Sequence, residues 1–287
     1  MTHFTTGYGP RGQTAPVAIF PDFEHMTEYL RSKKDKALGY YYDFETSRHA
    51  LATGDPILAD KAERTLASIE TESLYSDNVQ SWGRSVSGAL PDVPAYLAGS
   101  PLNMRRRVPQ QGLAPLTIVV ETFMSGGVTD ADRERRGVAI LSLVRKLQMT
   151  GHAVDLWLAH TSRPGLTATC LVRVETRPLD LARAVWGFTA SFERNGFKSA
   201  SAEVLYNLRV KENNFGLQAP FSDATFPNDP AKQSAYYTPI LQAESAVLAI
   251  PSLCGRDSFF GTERSTRAWL DANYAKASAL ARAQIDA

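Results

Sequence analysis

Apolar and polar positions recur along this chain with two periods, helical in the first third and mixed strand and helix after residue 113. Asp22 to Leu30 fits a short helix. Pro56 to Glu70 fits a longer one, with Ile57, Leu58, Ala62, Leu66 and Ile69 at helical spacing between charged residues. Asp55 stands before Pro56 as an N-cap, followed by the proline that a first turn tolerates. Residues 1–17, rich in Gly, Thr and Pro, show neither period and read as a flexible arm. From Trp82 to Pro101, Gly and Pro recur too densely for a long helix or a regular strand, and an ordered, folded-back loop is expected. Pro109 to Gly112 reads as the seam between two units.

Beyond the seam, Leu116 to Glu121 is a short, β-branched apolar run of the kind buried on both faces of a sheet. Thr129 or Asp130 caps a helix whose Gly137, Ile140, Leu141, Val144 and Leu147 form one apolar face, and Gly151 closes it. His152 to Ala159 is the next strand, which makes residues 116–159 a β-α-β unit with parallel strands. Thr169 to Glu175 follows a turn closely enough to pair antiparallel, as an edge hairpin. Asp180 caps a helix carrying Leu181, Val185, Phe188 and Phe192, ended by Asn195-Gly196. Ala202 to Arg209 and Ala246 to Ile250 are further strands, separated by a polar, aromatic and Pro-bearing stretch expected to be irregular in part. A charged, Ala-rich helix runs from about Thr262 to Ala283. The fold class is therefore α/β, a mostly parallel sheet flanked by helices over 113–287, preceded by a smaller, mainly helical region over 18–112.

Composition narrows the functional classes. Apolar residues make up 44% and charged residues 21% of the 287 positions, the balance of a chain that builds a core. With 31 basic and 30 acidic side chains there is no global field toward nucleic acid or an anionic membrane. Cys170 and Cys254 are too few for a disulfide framework, and a reducing cytoplasm is the expected compartment. No signal-peptide pattern opens the sequence, and no apolar run reaches the roughly 20 residues that cross a bilayer.

Candidate chemistry is sparse. Ligands of open parallel sheets sit at the carboxyl ends of strands, which directs attention to Glu121 to Ser125. Von Willebrand A domains carry Asp-x-Ser-x-Ser there and hold a divalent cation through oxygens. Here Glu121 and Ser125 keep the outer positions, but Phe123 replaces a hydroxyl. A divalent cation is thus the one cofactor considered, and no cofactor is the expectation. Ser125-Gly-Gly127 lacks the rest of a nucleotide fingerprint. Asp155 on the second strand needs a partner if that strand is central. None of His3, His25, His49, His152 and His160 has metal-ligand spacing. Arg105, Arg106 and Arg107, with Arg84 and Lys146, can meet phosphate, and Tyr40, Tyr41 and Tyr42 can offer stacking faces.

The motifs Trp82 to Gly88, Asp92 to Met104, Ser125 to Val128 and Arg135 to Ile140 together resemble an uncharacterised family found mainly among bacteriophage and prophage proteins, over about residues 20–210. The resemblance implies a helical N-terminal region and a von Willebrand A-like or Rossmann-like unit with a degenerate metal site. Its phage setting implies a part in virion assembly, packaging or host takeover. The leading expectation is a non-enzymatic protein that binds a protein partner through Trp82, Tyr96, Met104 and Arg105 to Arg107. Two alternatives stay open: a metal- or nucleotide-dependent enzyme at Glu121, Ser125 and Asp155, and a nucleic-acid-binding module using the three arginines.

Overall fold

In a computed structural model of the chain we describe residues 3–8, 14–32, 49, 53–73, 82–86, 90–107, 115–122, 128–162, 168–176, 179–189, 229–253 and 262–285. The elements are β1 (His3–Tyr8), β2 (Thr14–Phe20), α1 (Phe23–Ser32), α2 (Pro56–Ser73), β3 (Trp82–Ser85), β4 (Leu90–Pro91), α3 (Val93–Leu97), β5 (Met104–Arg107), β6 (Leu116–Glu121), α4 (Asp130–Met149), β7 (Val154–Ser162), β8 (Ala168–Val174), α5 (Leu181–Trp186), α6 (Pro230–Leu241), β9 (Ala246–Ile250) and α7 (Glu263–Ile285).

Six strands form one mixed sheet in the order β1-β2-β8-β7-β6-β9, and β3, β5 and β4 form a second, three-stranded one. The β6-α4-β7 unit has the parallel strands expected of it, with Leu116 opposite Val154. β9 pairs parallel with the other side of β6. Being paired on both sides and covered on both faces, β6 is buried at every position, which its unbroken apolar spelling anticipates.

The two faces of the sheet are covered unequally. Leu116, Ile118 and Val120 point to the face that receives apolar residues of α1, α2, α4, α5 and α7. The Thr129 hydroxyl caps α4 by accepting the Asp132 N–H at 3.2 Å, and Gly151 leaves it at φ +98°. Each large aliphatic side chain buried in this layer contributes about 1.5–3 kcal/mol. Val119, Ala159 and Leu171 point to the opposite face, where they meet Tyr236, Tyr237 and Ile240 of α6.

Two expectations change. The aperiodic arm gives way to β1 and β2, because strand pairing with β8 supplies the order that local sequence lacks. β8 does pair antiparallel with β7, but it is no edge, since β2 runs parallel along its other side. Alongside its helices, the region before 113 contributes two strands to the main sheet and three to the small one. Ala202 to Arg209, Phe192, Asn195 and Gly196 lie outside the described residues.

Candidate functional site

The segment read as an ordered, folded-back loop contributes to the three-stranded sheet and forms a short helix. β5 pairs antiparallel with β3 on one side and β4 on the other, placing Arg84 opposite Arg105, Trp82 opposite Arg107 and Pro91 opposite Met104. Between β4 and β5, Asp92 caps α3: its Oδ1 accepts the Ala95 N–H at 3.2 Å, and its own N–H donates to the Asn103 carbonyl at 2.8 Å. Asp92 is itself buried, so one residue fixes both ends of the excursion. Pro94 sits in the first turn, and Gly99 at φ +69° makes the left-handed bend that releases the chain. The Ser100 N–H then donates back to the Ala95 carbonyl at 2.9 Å.

This local hydrogen bonding holds the small Ala95 inward and turns large apolar groups out. Val93, Tyr96 and Leu97 are 54%, 67% and 78% exposed, and Val86 and Leu102 flank them at 70% and 45%. Among the described residues, five of the eight exposed large hydrophobics fall in this short segment, where scattered ones would be unremarkable. Met104 is half-buried in β5. Of the six residues expected at an interface, Tyr96 presents its side chain to solvent, and Trp82 and Arg105 to Arg107 are strand positions of the small sheet.

The carboxyl end of β6 is organised differently. Glu121 is fully buried; its Oε1 accepts the Thr161 N–H at 3.2 Å and its Oε2 accepts the Tyr237 hydroxyl at 2.9 Å. The chain of hydroxyls continues from Tyr237 to Thr161 at 3.1 Å, Thr161 to Thr169 at 3.3 Å, and Thr169 to Tyr236 at 2.9 Å. Burial and the neighbouring Glu121 carboxylate push the Tyr237 phenol well above its ordinary range; burial chiefly, opposed by the Thr169 hydrogen bond, pushes Tyr236 up to about 12. On the other face, the buried Arg136 of α4 donates from Nη2 to the carbonyls of Glu121 at 3.1 Å and Pro251 at 2.6 Å, tying the ends of β6 and β9 to the helix. Both Glu121 oxygens already accept protein donors, so a cation at this point has to displace them. Ser125, its expected companion, lies outside the described residues.

With both regions in view, comparison with known protein families gives a match over residues 14–249 to a Domain of unknown function (DUF7192). The chain belongs to that family. No curated protein and no solved structure matches it. The match runs through β2 to β9, so it takes in the exposed apolar segment, the Glu121 network and the sheet.

The remaining candidates in this DUF7192 chain separate into structural positions. Asp155 accepts the Trp157 Nε1–H at 2.8 Å and pairs with Arg173, which meets the expectation that it needs partners. Lys146 is 3.4 Å from Asp271 and 4.4 Å above the Tyr274 ring, a clamp between α4 and α7. His25 closes onto Asp22 at 2.8 Å at the start of α1, His49 is exposed, and His152 and His160 are buried. His3 lies in β1 and Arg84 in β3. Cys170 is buried, while Cys254 and Tyr40 to Tyr42 lie outside the described residues. Among the described residues no cluster of three or more His, Cys, Asp or Glu is placed to hold a metal, and no helix is long and apolar enough to cross a membrane.

Sequence reading missed α6, and with it Tyr236 and Tyr237. The signal was present in Asp229-Pro230, the same cap-and-proline pair used at Asp55-Pro56: Asp229 Oδ1 accepts the Ala231 N–H at 2.9 Å. Pro239 inside the helix and the uninformative text before it masked the pattern.

Proposed function

We propose that this chain is a non-enzymatic interaction protein that captures a protein partner through the exposed face around α3. The observation that carries the reading is the exposed set Val86, Val93, Tyr96, Leu97 and Leu102, of which Val93, Tyr96 and Leu97 stand on a capped and internally hydrogen-bonded turn. Apolar anchors on a rigid support lose little entropy when they dock, which is how a few side chains come to dominate an interface. In this proposal the partner belongs to virion assembly or host takeover and the compartment is the host cytoplasm, a reading that the resemblance to phage proteins supports. The finer likeness to a von Willebrand A domain belongs to this proposal too, and is supported by β6 ending in the acidic Glu121.

The alternatives receive less support. A metal- or nucleotide-dependent enzyme needs Glu121 free to bind, and its hydrogen bonds to Thr161 and Tyr237 weigh against that. A nucleic-acid module gains from Arg84 standing opposite Arg105, but four of the five exposed apolar groups are aliphatic and have no ring on which a base stacks.

The test is a comparison of the tagged wild-type chain with the double variant Tyr96→Ser/Leu97→Ser in native cells, by affinity purification and mass spectrometry. One protein recovered stoichiometrically with the wild type should fall at least about tenfold with the variant, while the melting temperature stays unchanged because both side chains are exposed. The same proteins retained by both, or no stoichiometric protein on either, sinks the reading.

A further inference from the structure

On the sheet face that α6 covers, the cover stops short. The helix ends at Leu241, Gln242 takes a left-handed φ of 48°, and the chain returns through Ala243 to Ser245 into β9. Beside that return lies a groove of about 590 Å³, floored by Thr117 of β6, Asp155 and Trp157 of β7 and Arg173 of β8, and rimmed by Glu175 and Glu244. Its volume is that of small-ligand clefts, which run from about 300 to 1,000 Å³.

The floor is polar but ordered. The Trp157 indole is pinned by its Nε1–H to Asp155 Oδ2 at 2.8 Å, and the other Asp155 oxygen is engaged by Arg173. Thr117 and Ser245 hydroxyls lie 2.6 Å apart across the wall of the groove. Such a floor also suits an ordinary solvated sheet face, on which a surface ion pair has little consequence. Two features separate this place from that reading: it is concave, and it sets an immobilised indole among uncompensated charge. Arg173 is committed to Asp155, whereas Glu175 and Glu244 are exposed and enter no ion pair among the described residues. The groove is thus locally negative in a chain whose formal net charge is +1.

We propose that this groove binds a cationic group on an apolar stem, a guanidinium or an alkylammonium. An indole attracts such a group through its ring quadrupole, the stem covers apolar surface beside it, and the two rim carboxylates supply opposite charge. The same chemistry is offered by a free small cation and by an Arg or Lys side chain of a protein. The inference does not depend on the α3 face, which involves none of these residues.

The test follows the Trp157 indole N–H resonance of the full chain by NMR, assigned with Trp157→Phe, during titration with arginine amide, with an acetylated Gly-Arg-Gly amide, and with glucose as a neutral control. Saturable shifts are expected with the two cationic probes and none with glucose; arginine amide the stronger identifies a free ligand, and the peptide the stronger a side chain of a protein. The double variant Glu175→Gln/Glu244→Gln, at two exposed positions, should keep its melting temperature and weaken binding about fivefold. No shift at 20 mM probe (roughly the weakest binding of any use), equal affinity in the double variant, or an equal response to glucose overturns the proposal.

Discussion

Two glycines with the same backbone twist carry different burdens, and the difference is local space. Gly54 (φ +71°) and Gly99 (φ +69°) both occupy the left-handed region. A Cβ at Gly54 would lie 2.3 Å from the Ala182 carbonyl carbon, where α2 and α5 approach and the Asp55 N–H donates to Ala182, whereas one at Gly99 would meet nothing within 4 Å. Gly99→Ala should therefore cost about 1 kcal/mol, the conformational term alone. Gly54→Ala should cost about 3 kcal/mol, because overpacking against backbone that cannot yield adds to it. Urea denaturation of both variants checks this, and equal costs would show that the approach at Gly54 relaxes freely. Neither role is written in the sequence, where Gly54 stands between Thr53 and Asp55 and Gly99 between Ala98 and Ser100. Asp55, Thr129 and Asp180 are another matter: their capping depends on residues three positions away, which makes it legible.

At the scale of elements, α6 and its tyrosine pair couple stability to alkaline pH. Both phenols sit above the ordinary value of 10 in the folded chain, Tyr236 at about 12. Above pH 10 the unfolded chain releases these protons first, so it binds fewer than the folded one and stability falls as pH rises. The contribution is fully present below pH 10, and is lost from there up to about 12 for Tyr236 and over a wider span for Tyr237. Each tyrosine adds a slope of about 1.4 kcal/mol per pH unit in its window. Tyr236→Phe should remove one such slope when unfolding is followed from pH 9 to 12, and a variant with the wild-type slope would show that Tyr236 is not perturbed. The elements themselves were legible wherever period and cap agreed, as in α2, α4, β6, β7, β9 and α7. α3 and the small sheet were not: the pairings of β3 and β4 with β5 join residues far enough apart that no short window contains them.

For the whole molecule, the sheet order shows which distant segments depend on one another. β2 lies beside β8, some 150 positions later, and buries Val17, Ala18 and Phe20. Removing residues 1–20 takes about 4 kcal/mol of apolar burial with it and leaves β8 with an open edge. The truncated chain should melt at lower temperature and elute in part as aggregate by size-exclusion chromatography. An unchanged melting temperature with monomeric elution would mean that β1 and β2 are dispensable to the sheet.

The sequence by itself determined the α/β class, the β6-α4-β7 unit, the caps and the apolar faces, since each follows from periodicity and from contacts within a few residues. It also singled out Glu121, Asp155 and Tyr96 as residues in need of a partner or a purpose. Only the tertiary structure decided what became of them. Glu121 is enclosed by Thr161 and a tyrosine from a helix more than 100 positions away, Asp155 lies in the floor of a groove, and Tyr96 stands in solvent. Burial and partnership depend on which segments meet across the sheet. That choice rests on the summed packing of two faces, a quantity that no local stretch of the chain carries.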